Sequence, residues 1–287
     1  MGRAGTWRSW ALLSPLTVFM LLFFVAPLLT FFVYGFWSVS GWDMIREFTL
    51  KNYVRALTDP IYPGLAFRSL LVGTSSGLLC VLIAYPLAYL MAFRAQRHRD
   101  LLLFLILLTL FSNYLIRIYA WRSVLSTNGL VDVVLLGLGL ASEPQSYLLF
   151  TSAGTLVTLT NVYVPVAVLP IYSALLNIPR TLQDASRDLG ATPLQCFYKV
   201  TLPLSSAGVV AAFVFVFLLC AGDFVTPQLV GGTNGTMIGM SIQNQFGENF
   251  NWPLGSALAM TMIVVMSVLL AAFYFLARAL GILRRTG

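Results

Sequence analysis

Six long apolar stretches constrain the fold of this 287-residue chain more than any other feature. A helix needs about 20 mostly apolar residues to cross the hydrocarbon core of a bilayer. Inside a bilayer every backbone polar group has to be hydrogen-bonded within the protein, so spans of this kind are helical. We therefore predict an all-α polytopic membrane protein, a single transmembrane domain over residues 1–287. The predicted spans are residues 11–36, 68–93, 101–121, 152–174, 204–227 and 255–279.

The few charged residues indicate which side of the membrane each segment occupies. Only 9% of the residues are charged, whereas soluble domains carry about 25%. Positive residues favour the cytoplasm, so we predict that both termini and the segment 179–203 are cytoplasmic. The net charge of +7 thus reports topology and does not indicate nucleic-acid binding. The basic residues on the predicted cytoplasmic side are Arg3, Arg8, Arg94, Arg97, Arg99, Arg180, Arg187, Lys199, Arg278, Arg284 and Arg285.

Several functional classes are excluded by what the sequence lacks. The first span is longer than the apolar region of a signal peptide, so it is predicted to be an anchor. Cys80, Cys196 and Cys220 are far apart and suggest no disulfide framework. There is no phosphate-binding Gly-x-x-x-x-Gly-Lys-Ser/Thr motif, and the single histidine, His98, belongs to no cluster with metal-ligand spacing. We therefore predict no catalysis, no metal site and no cofactor in this chain.

The segments outside the spans contain few regular elements. Residues 38–67 are rich in Pro and Gly, and we expect turns and one short helix there. Asn128-Gly129 marks a turn, and residues 130–140 are predicted to form a short helix at the membrane interface.

The polar segment 179–203 predicts a helix-turn-helix. Pro179 suits the first turn of a helix, and Gly190 suits its left-handed end. Thr192 is a candidate N-cap with Pro193 following it, which predicts a second short helix to about residue 200. Leu202-Pro203 is expected to set the turn into the fifth span. Four apolar side chains of this segment are expected to be exposed and available to a partner's groove, unless the segment lies on the membrane surface: Leu182, Leu189, Phe197 and Tyr198.

The layout of this segment resembles the cytoplasmic coupling loop of binding-protein-dependent ABC importer permeases. That family's pattern is Glu-Ala-Ala, three residues, Gly, nine residues, then a hydrophobic residue, any residue, Leu and Pro. The departures are Asp184 in place of Glu and Ser186 in place of the second Ala, and both substitutions keep size class and polarity. The resemblance implies that the segment receives the work of ATP hydrolysis from another subunit. The implied coupling residues are Asp184, Ala185, Ser186, Gly190, Ala191, Phe197, Leu202 and Pro203.

The resemblance extends over most of the chain beyond residue 48. The runs 113–119, 125–129, 223–224, 229–232 and 252–255 look like the spermidine/putrescine permease subunits. The family implies a type I importer bundle that forms a heterodimer with a homologous permease. It further implies two ATP-binding cassette subunits that bind ATP and magnesium, and a periplasmic solute-binding protein. By this resemblance the chain passes a small solute, a polyamine, through the inner membrane by alternating access.

Two ionisable residues fall within predicted spans. Asp223 and Arg117 are expected at similar depth, and charges at such positions are costly and usually functional. Three interpretations stay open: an ion pair between them, contact of Asp223 with a cationic solute, or snorkelling of Arg117 toward the interface beside Arg122. Further candidates for the solute path, each of which also suits a hydrogen bond between helices, are Asn113, Tyr119, Tyr163 and Gln228.

Two alternative functions differ in their sequence requirements. An opine, an amino-acid derivative or an anion would suit Arg117 better than Asp223. A secondary transporter that works alone would have more buried acids for ion coupling and no coupling loop. The sequence shows the opposite pattern, so the importer permease is the function we predict.

Overall fold

A computed structural model describes residues 13–41, 43–95, 97–140, 143 and 148–279. Five of the described helices are long and apolar enough to cross a membrane, and a sixth crossing results if one bent helix pair is counted as a span. This confirms the all-α polytopic membrane fold. In chain order the helices are α1 (Leu13–Tyr34), α2 (Lys51–Thr58), α3 (Ile61–Arg94), α4 (Arg99–Phe111), α5 (Tyr114–Leu125), α6 (Leu130–Gly137), α7 (Ser152–Leu176), α8 (Arg180–Asp188), α9 (Pro193–Ala221), α10 (Ile238–Gly247) and α11 (Trp252–Ala279).

The third predicted span, residues 101–121, is not one helix. It divides after α4, whose axis differs by 91° from that of the following helical segment Tyr114–Gly137, which begins with α5. Ser112 and Asn113 have extended backbone conformations, and the Asn113 side chain accepts hydrogen bonds from the N–H groups of Leu115 and Ile116 at 2.9 and 3.3 Å. The prediction of a continuous span is wrong because Asn113 caps a new helix there.

The fifth predicted span, residues 204–227, begins and ends elsewhere. Helix α9 starts at Pro193 and continues through Leu202 and Pro203 without a turn, so the predicted turn at that dipeptide is wrong. Proline has no N–H and clashes with the carbonyl four residues before it. A wider π-helical segment, Phe197–Thr201, precedes Pro203, and the Leu202 N–H bonds to the Phe197 carbonyl five residues back. The helix ends at Ala221, two residues before Asp223.

The chain divides into two compact units, and the first comprises Met1–Pro63 and Ser241–Val265. It contains a hairpin that the sequence reasoning missed, in which β1 (Ser38–Ser40) pairs antiparallel with β2 (Asp43–Ile45). The predicted short helix of this region is present as α2. Its Asn52 side chain donates to the carbonyls of Gly35 and Trp37 at 3.1 and 2.7 Å, which fixes α2 to the end of α1.

The second unit comprises Gly64–Met240 and Met266–Gly287. Its core lies where α3, α7 and α9 pack together. Small residues permit the close approach: a Cβ on Gly208 would lie 2.6 Å from the Pro170 carbonyl oxygen, and one on Gly73 would lie 2.8 Å from the Ala221 Cβ. Helices in membranes associate through such packing. The same unit contains the polar segment 179–203 and the two ionisable residues of the predicted spans, Arg117 and Asp223.

Candidate functional site

The polar loop, which is the segment 179–203, begins with helix α8. Pro179 was predicted to lie in the first turn of this helix. It lies instead at the N-cap position, with φ −61° and ψ 131°, and α8 starts at Arg180. Helix α8 turns one side toward the protein and the other toward solvent. Gln183 is buried, whereas Leu182 and Asp184 are exposed.

Gly190 makes the turn that the sequence predicted. Its φ is +83°, a conformation that favours glycine. The N–H of Gly190 bonds to the Arg187 carbonyl at 2.8 Å, and that of Ala191 bonds to the Ser186 carbonyl at 3.0 Å. The end of α8 is thereby hydrogen-bonded within the loop, and Gly190 itself is exposed.

Thr192 caps the second helix of the loop, as predicted. Its hydroxyl accepts from the Gln195 N–H at 3.3 Å, and the Gln195 side chain accepts from the Thr192 N–H at 3.0 Å. This is a complete capping box, with Pro193 in the first helical position. The role of Gln195 was missed, although Thr192-x-x-Gln195 is a readable signal.

Of the four apolar side chains that were expected to be exposed, three are exposed. The exposed fractions are 45% for Leu182, 89% for Leu189 and 58% for Tyr198. Phe197 was expected to be exposed and is half-buried, because its ring meets Tyr85 and Tyr89 edge-on at 5.7 and 5.9 Å between centroids. The exposed set also includes Leu194.

The remaining predicted coupling residues divide between surface and core. Asp184 is exposed and lies 3.8 Å from the Arg187 guanidinium. The Ser186 hydroxyl donates to the Gln183 carbonyl at 2.7 Å. Leu202 packs against the core cluster, whereas Ala185 and Pro203 are exposed. The loop therefore presents exposed charged and apolar side chains on a backbone whose turns are internally hydrogen-bonded.

Asp223 is the centre of a second polar feature, the Asp223 cluster, which comprises Tyr114, Asp223 and Thr226. The carboxylate is 8% exposed and accepts from the hydroxyls of Tyr114 and Thr226 at 2.6 and 2.5 Å. Its other oxygen accepts from the Val225 N–H at 3.0 Å, so Asp223 also caps the helical turn that follows. Tyr163 places its ring 6.4 Å from that of Tyr114. The contribution of Tyr114 was missed because nothing local links it to Asp223.

Arg117 does not pair with Asp223, although both residues are described. Its guanidinium donates to the Val162 carbonyl at 3.1 Å. The same side chain lines an open cavity of about 560 Å³ with mostly apolar walls. Its Nε has no hydrogen-bond partner among the described residues. The ion-pair interpretation is therefore wrong, and Arg117 turns into the protein rather than snorkelling beside Arg122.

The other path candidates lie apart from one another. Asn113 caps α5, Tyr119 is 54% exposed, and Gln228 is exposed on the turn after Asp223. Of the predicted path candidates, only Tyr163 lies beside the Asp223 cluster, where its ring is next to that of Tyr114. The cavity beside Arg117 contains a contact that was not predicted, in which the Trp121 indole donates to the Asn161 side chain at 2.8 Å.

The described residues thus form a multi-pass helical membrane protein with a capped helix-turn-helix that leads directly into one of its spans. The chain belongs to the family of binding-protein-dependent transport system inner membrane components, whose sequence profile matches residues 84–281. This family is a transport family rather than an enzyme class, and its members are multi-pass inner-membrane proteins.

Curated relatives cover most of this chain. The spermidine/putrescine transport system permease protein PotB of Escherichia coli (strain K12) is 36% identical over 234 residues, 82% of this chain and 84% of the relative. The protein of the same name in Haemophilus influenzae is 34% identical over 256 residues, 88% of this chain and 89% of the relative. The inner membrane ABC transporter permease protein YdcU of Escherichia coli (strain K12) is 31% identical over 273 residues, 91% of this chain and 86% of the relative.

Solved structures share the fold. A chain of a bacterial ABC transporter that imports the acidic polysaccharide alginate gives a TM-score of 0.74 at 17% identity, covering 95% of this chain and 96% of that one. A chain of the MetNI methionine ABC transporter in an inward-facing conformation gives 0.59 at 20% identity, covering 79% of this chain and 100% of that one. These likenesses confirm the type I importer permease fold.

Proposed function

We propose that this chain is the membrane-spanning permease subunit of an ATP-driven importer that carries a polyamine across the inner membrane by alternating access. The observation that carries this proposal is the polar loop, in which Gly190 makes the turn after α8, Thr192 caps the start of α9, and both helices expose apolar side chains. Such a loop offers a partner an anchor surface, and its second helix continues into a span.

The solute class is supported by the relatives and by the Asp223 cluster. The relatives named as spermidine/putrescine permeases are 34–36% identical to this chain over more than four fifths of its length. A buried carboxylate beside the rings of Tyr114 and Tyr163 is suited to an ammonium group, because carboxylates and aromatic faces both attract cations. In this proposal the cluster faces the solute path during part of the transport cycle.

A second candidate solute is an anion such as an opine or another amino-acid derivative. The unpartnered Nε of Arg117 beside the cavity favours it. Uptake assays with both kinds of solute separate the two candidates.

The proposed assembly contains this chain, a homologous permease, two ATP-binding cassette subunits and a periplasmic solute-binding protein. ATP and magnesium bind to the cassette subunits, and this chain holds no cofactor and catalyses no reaction. Support comes from the absence of a phosphate-binding motif in the sequence and from the family's name, which refers to binding-protein-dependent transport.

The proposed orientation has both termini and the polar loop in the cytoplasm. The distribution of basic residues supports it. Cysteine labelling in intact cells tests it at Leu189→Cys, because Leu189 is 89% exposed and the native cysteines are buried. Reaction with an impermeant reagent from outside would contradict the orientation.

The function itself is tested in proteoliposomes that contain the four membrane-associated subunits, with the binding protein outside and ATP inside. Labelled spermidine should accumulate only when both ATP and the binding protein are present. Accumulation driven by an ion gradient without the cassette subunits would indicate a secondary transporter. Uptake of an anionic opine in place of spermidine would move the assignment to the second candidate.

A further inference from the structure

Helices α3 and α9 each contain a π-helical segment near the place where they meet at the polar loop. One is Leu90–Arg94 at the end of α3, and the other is Phe197–Thr201 near the start of α9. In a π-helix each N–H bonds to the carbonyl five residues earlier, and such widened turns occur mostly at functional sites. The loop thus enters α9 through a segment whose hydrogen-bond register differs from that of the rest of the helix.

The Phe197 side chain connects this segment to α3. Its ring lies edge-on to Tyr85 at an interplanar angle of 88° and to Tyr89 at 78°. Tyr89 directly precedes the π-helical end of α3. Edge-to-face ring contacts prefer this geometry, so Phe197 fits between two side chains one turn apart on α3.

A buried chain of hydrogen bonds links the same two helices. The Ser205 hydroxyl donates to the Thr201 carbonyl at 2.8 Å, at the end of the π-helical segment. Because Ser205 uses its one hydroxyl hydrogen there, the Tyr85 hydroxyl is the donor in the 2.9 Å bond between Tyr85 and Ser205. Tyr85, Thr201 and Ser205 are 9%, 1% and 0% exposed.

We propose that Tyr85, Phe197 and Ser205 form a mechanical joint that transmits movement of the polar loop to α3. They are positioning residues for transport, and their role rests on the proposed function of the loop. Helix α9 begins within the loop, so movement of the loop enters α9 at its first turn, ahead of the π-helical segment. Without the joint, the π-helical segment would absorb that movement by changing its register, and α3 would not follow.

Three variants of the intact complex test the joint. Tyr85→Phe removes only the hydroxyl that reaches Ser205, and Phe197→Leu removes the ring while keeping an apolar side chain. Tyr172→Phe is the matched control, because it removes a hydroxyl from another buried tyrosine of the same core. Each variant is assembled with its partner subunits and assayed for retention of the cassette subunits, ATP hydrolysis and spermidine uptake.

We expect Tyr85→Phe to retain the cassette subunits and hydrolyse ATP normally while spermidine uptake falls ~5-fold, the change that corresponds to one hydrogen bond. Phe197→Leu should lower uptake further, and Tyr172→Phe should match the unmodified complex. A merely structural role would lower retention and hydrolysis together with uptake. Either that result or unchanged uptake in both Tyr85→Phe and Phe197→Leu would contradict the proposed joint.

A second measurement does not depend on the solute. A cysteine at Thr109, a residue that lines the cavity beside Arg117, is labelled with a small maleimide with and without ATP and vanadate. The unmodified complex should show an ATP-dependent change in labelling rate, and Tyr85→Phe should reduce that change ~5-fold. If no complex takes up spermidine but this pattern appears, the polyamine assignment fails and the joint stands. If ATP changes labelling equally in Tyr85→Phe, or in no complex, the joint is overturned.

Discussion

The polar loop and the Asp223 cluster are both polar regions in an apolar chain, but they satisfy their polar groups differently. In the loop, backbone hydrogen bonds and the Thr192 cap close the turns, and most side chains stay exposed. In the cluster, the Asp223 side chain is buried and accepts three hydrogen bonds from the surrounding protein.

The loop thus has the properties of a surface that binds a partner, whereas the hydrogen bonds of the Asp223 cluster stabilise the fold of this chain. The turns of the loop are closed by its own hydrogen bonds, and its exposed apolar side chains are free to contact another subunit. The cluster holds a charge that has to stay hydrogen-bonded, because a buried unpaired carboxylate is costly. Changes in the cluster should therefore act first on stability, and changes in the loop should act first on coupling.

The largest expected effect on stability is that of Asp223→Leu. The substitution removes the carboxylate that accepts from the Tyr114 and Thr226 hydroxyls and leaves those two hydroxyls only each other, 3.0 Å apart. We expect the free energy of unfolding to fall by about 3 kcal/mol. Thermal unfolding of the purified chain in detergent measures it. Asp223→Asn, which keeps an acceptor oxygen, is the control and should be milder. An unchanged melting temperature in Asp223→Leu would mean that the cluster does not support the fold.

A smaller loss of stability is expected for Tyr114→Phe. This variant removes one of three donors to Asp223, and hydrogen bonds to charged groups contribute about 2 kcal/mol each. The same unfolding assay applies, with Tyr119→Phe as the control because Tyr119 is exposed. Equal destabilisation in the two variants would show that the Tyr114 hydroxyl has no special role.

The same two regions show what could be predicted from the sequence. The loop follows from local rules, since a positive φ suits Gly190 and an N-cap suits Thr192, and both predictions are confirmed. The contacts of Asp223 with Tyr114 and of Arg117 with Val162 join residues far apart in sequence. No local pattern records these contacts, so the sequence left three interpretations of Arg117 and Asp223 open, and the ion pair among them is wrong.

The errors in the span boundaries have a similar cause. Hydropathy continues across Asn113, so the sequence predicted one helix there, whereas Leu202-Pro203 was expected to set a turn before the fifth span. Helix capping by Asn113 and a π-helical segment before Pro203 decided the outcome instead. Apolar content locates a span, and individual backbone hydrogen bonds locate its ends.

A further, smaller effect is expected for Thr192→Ala in the loop. Loss of the cap should cost about 1 kcal/mol of local helix stability, and this loss should appear as faster amide exchange in the first turn of α9. Thr192→Ser retains the hydroxyl and should behave like the unmodified protein. Equal exchange rates in all three proteins would show that partner contacts, rather than the cap, hold this turn.

The smallest effect on stability is expected for Asp184→Ala. Both side chains of the Asp184–Arg187 ion pair are exposed, and such pairs contribute about 0.3 kcal/mol to the free energy of unfolding. Unfolding should therefore be nearly unchanged, whereas cassette-subunit retention should weaken if the carboxylate contacts that partner. A large drop in the melting temperature would mean that the loop supports the fold, and the contrast between the two regions would fail.

The most direct test of the loop's role is retention of the cassette subunits by Gly190→Arg in membranes that contain the full complex. Apart from its chain neighbours, no described residue places an atom within 4 Å of a Cβ at Gly190. Its φ of +83° disfavours a side chain, and the arginine would project from an exposed turn. Gly190→Asn is the control, because asparagine tolerates positive φ. We predict that Gly190→Arg inserts normally but loses the cassette subunits and ATP-driven uptake together, while Gly190→Asn keeps both. Normal retention and normal uptake in Gly190→Arg would contradict the assignment of this loop as the coupling element.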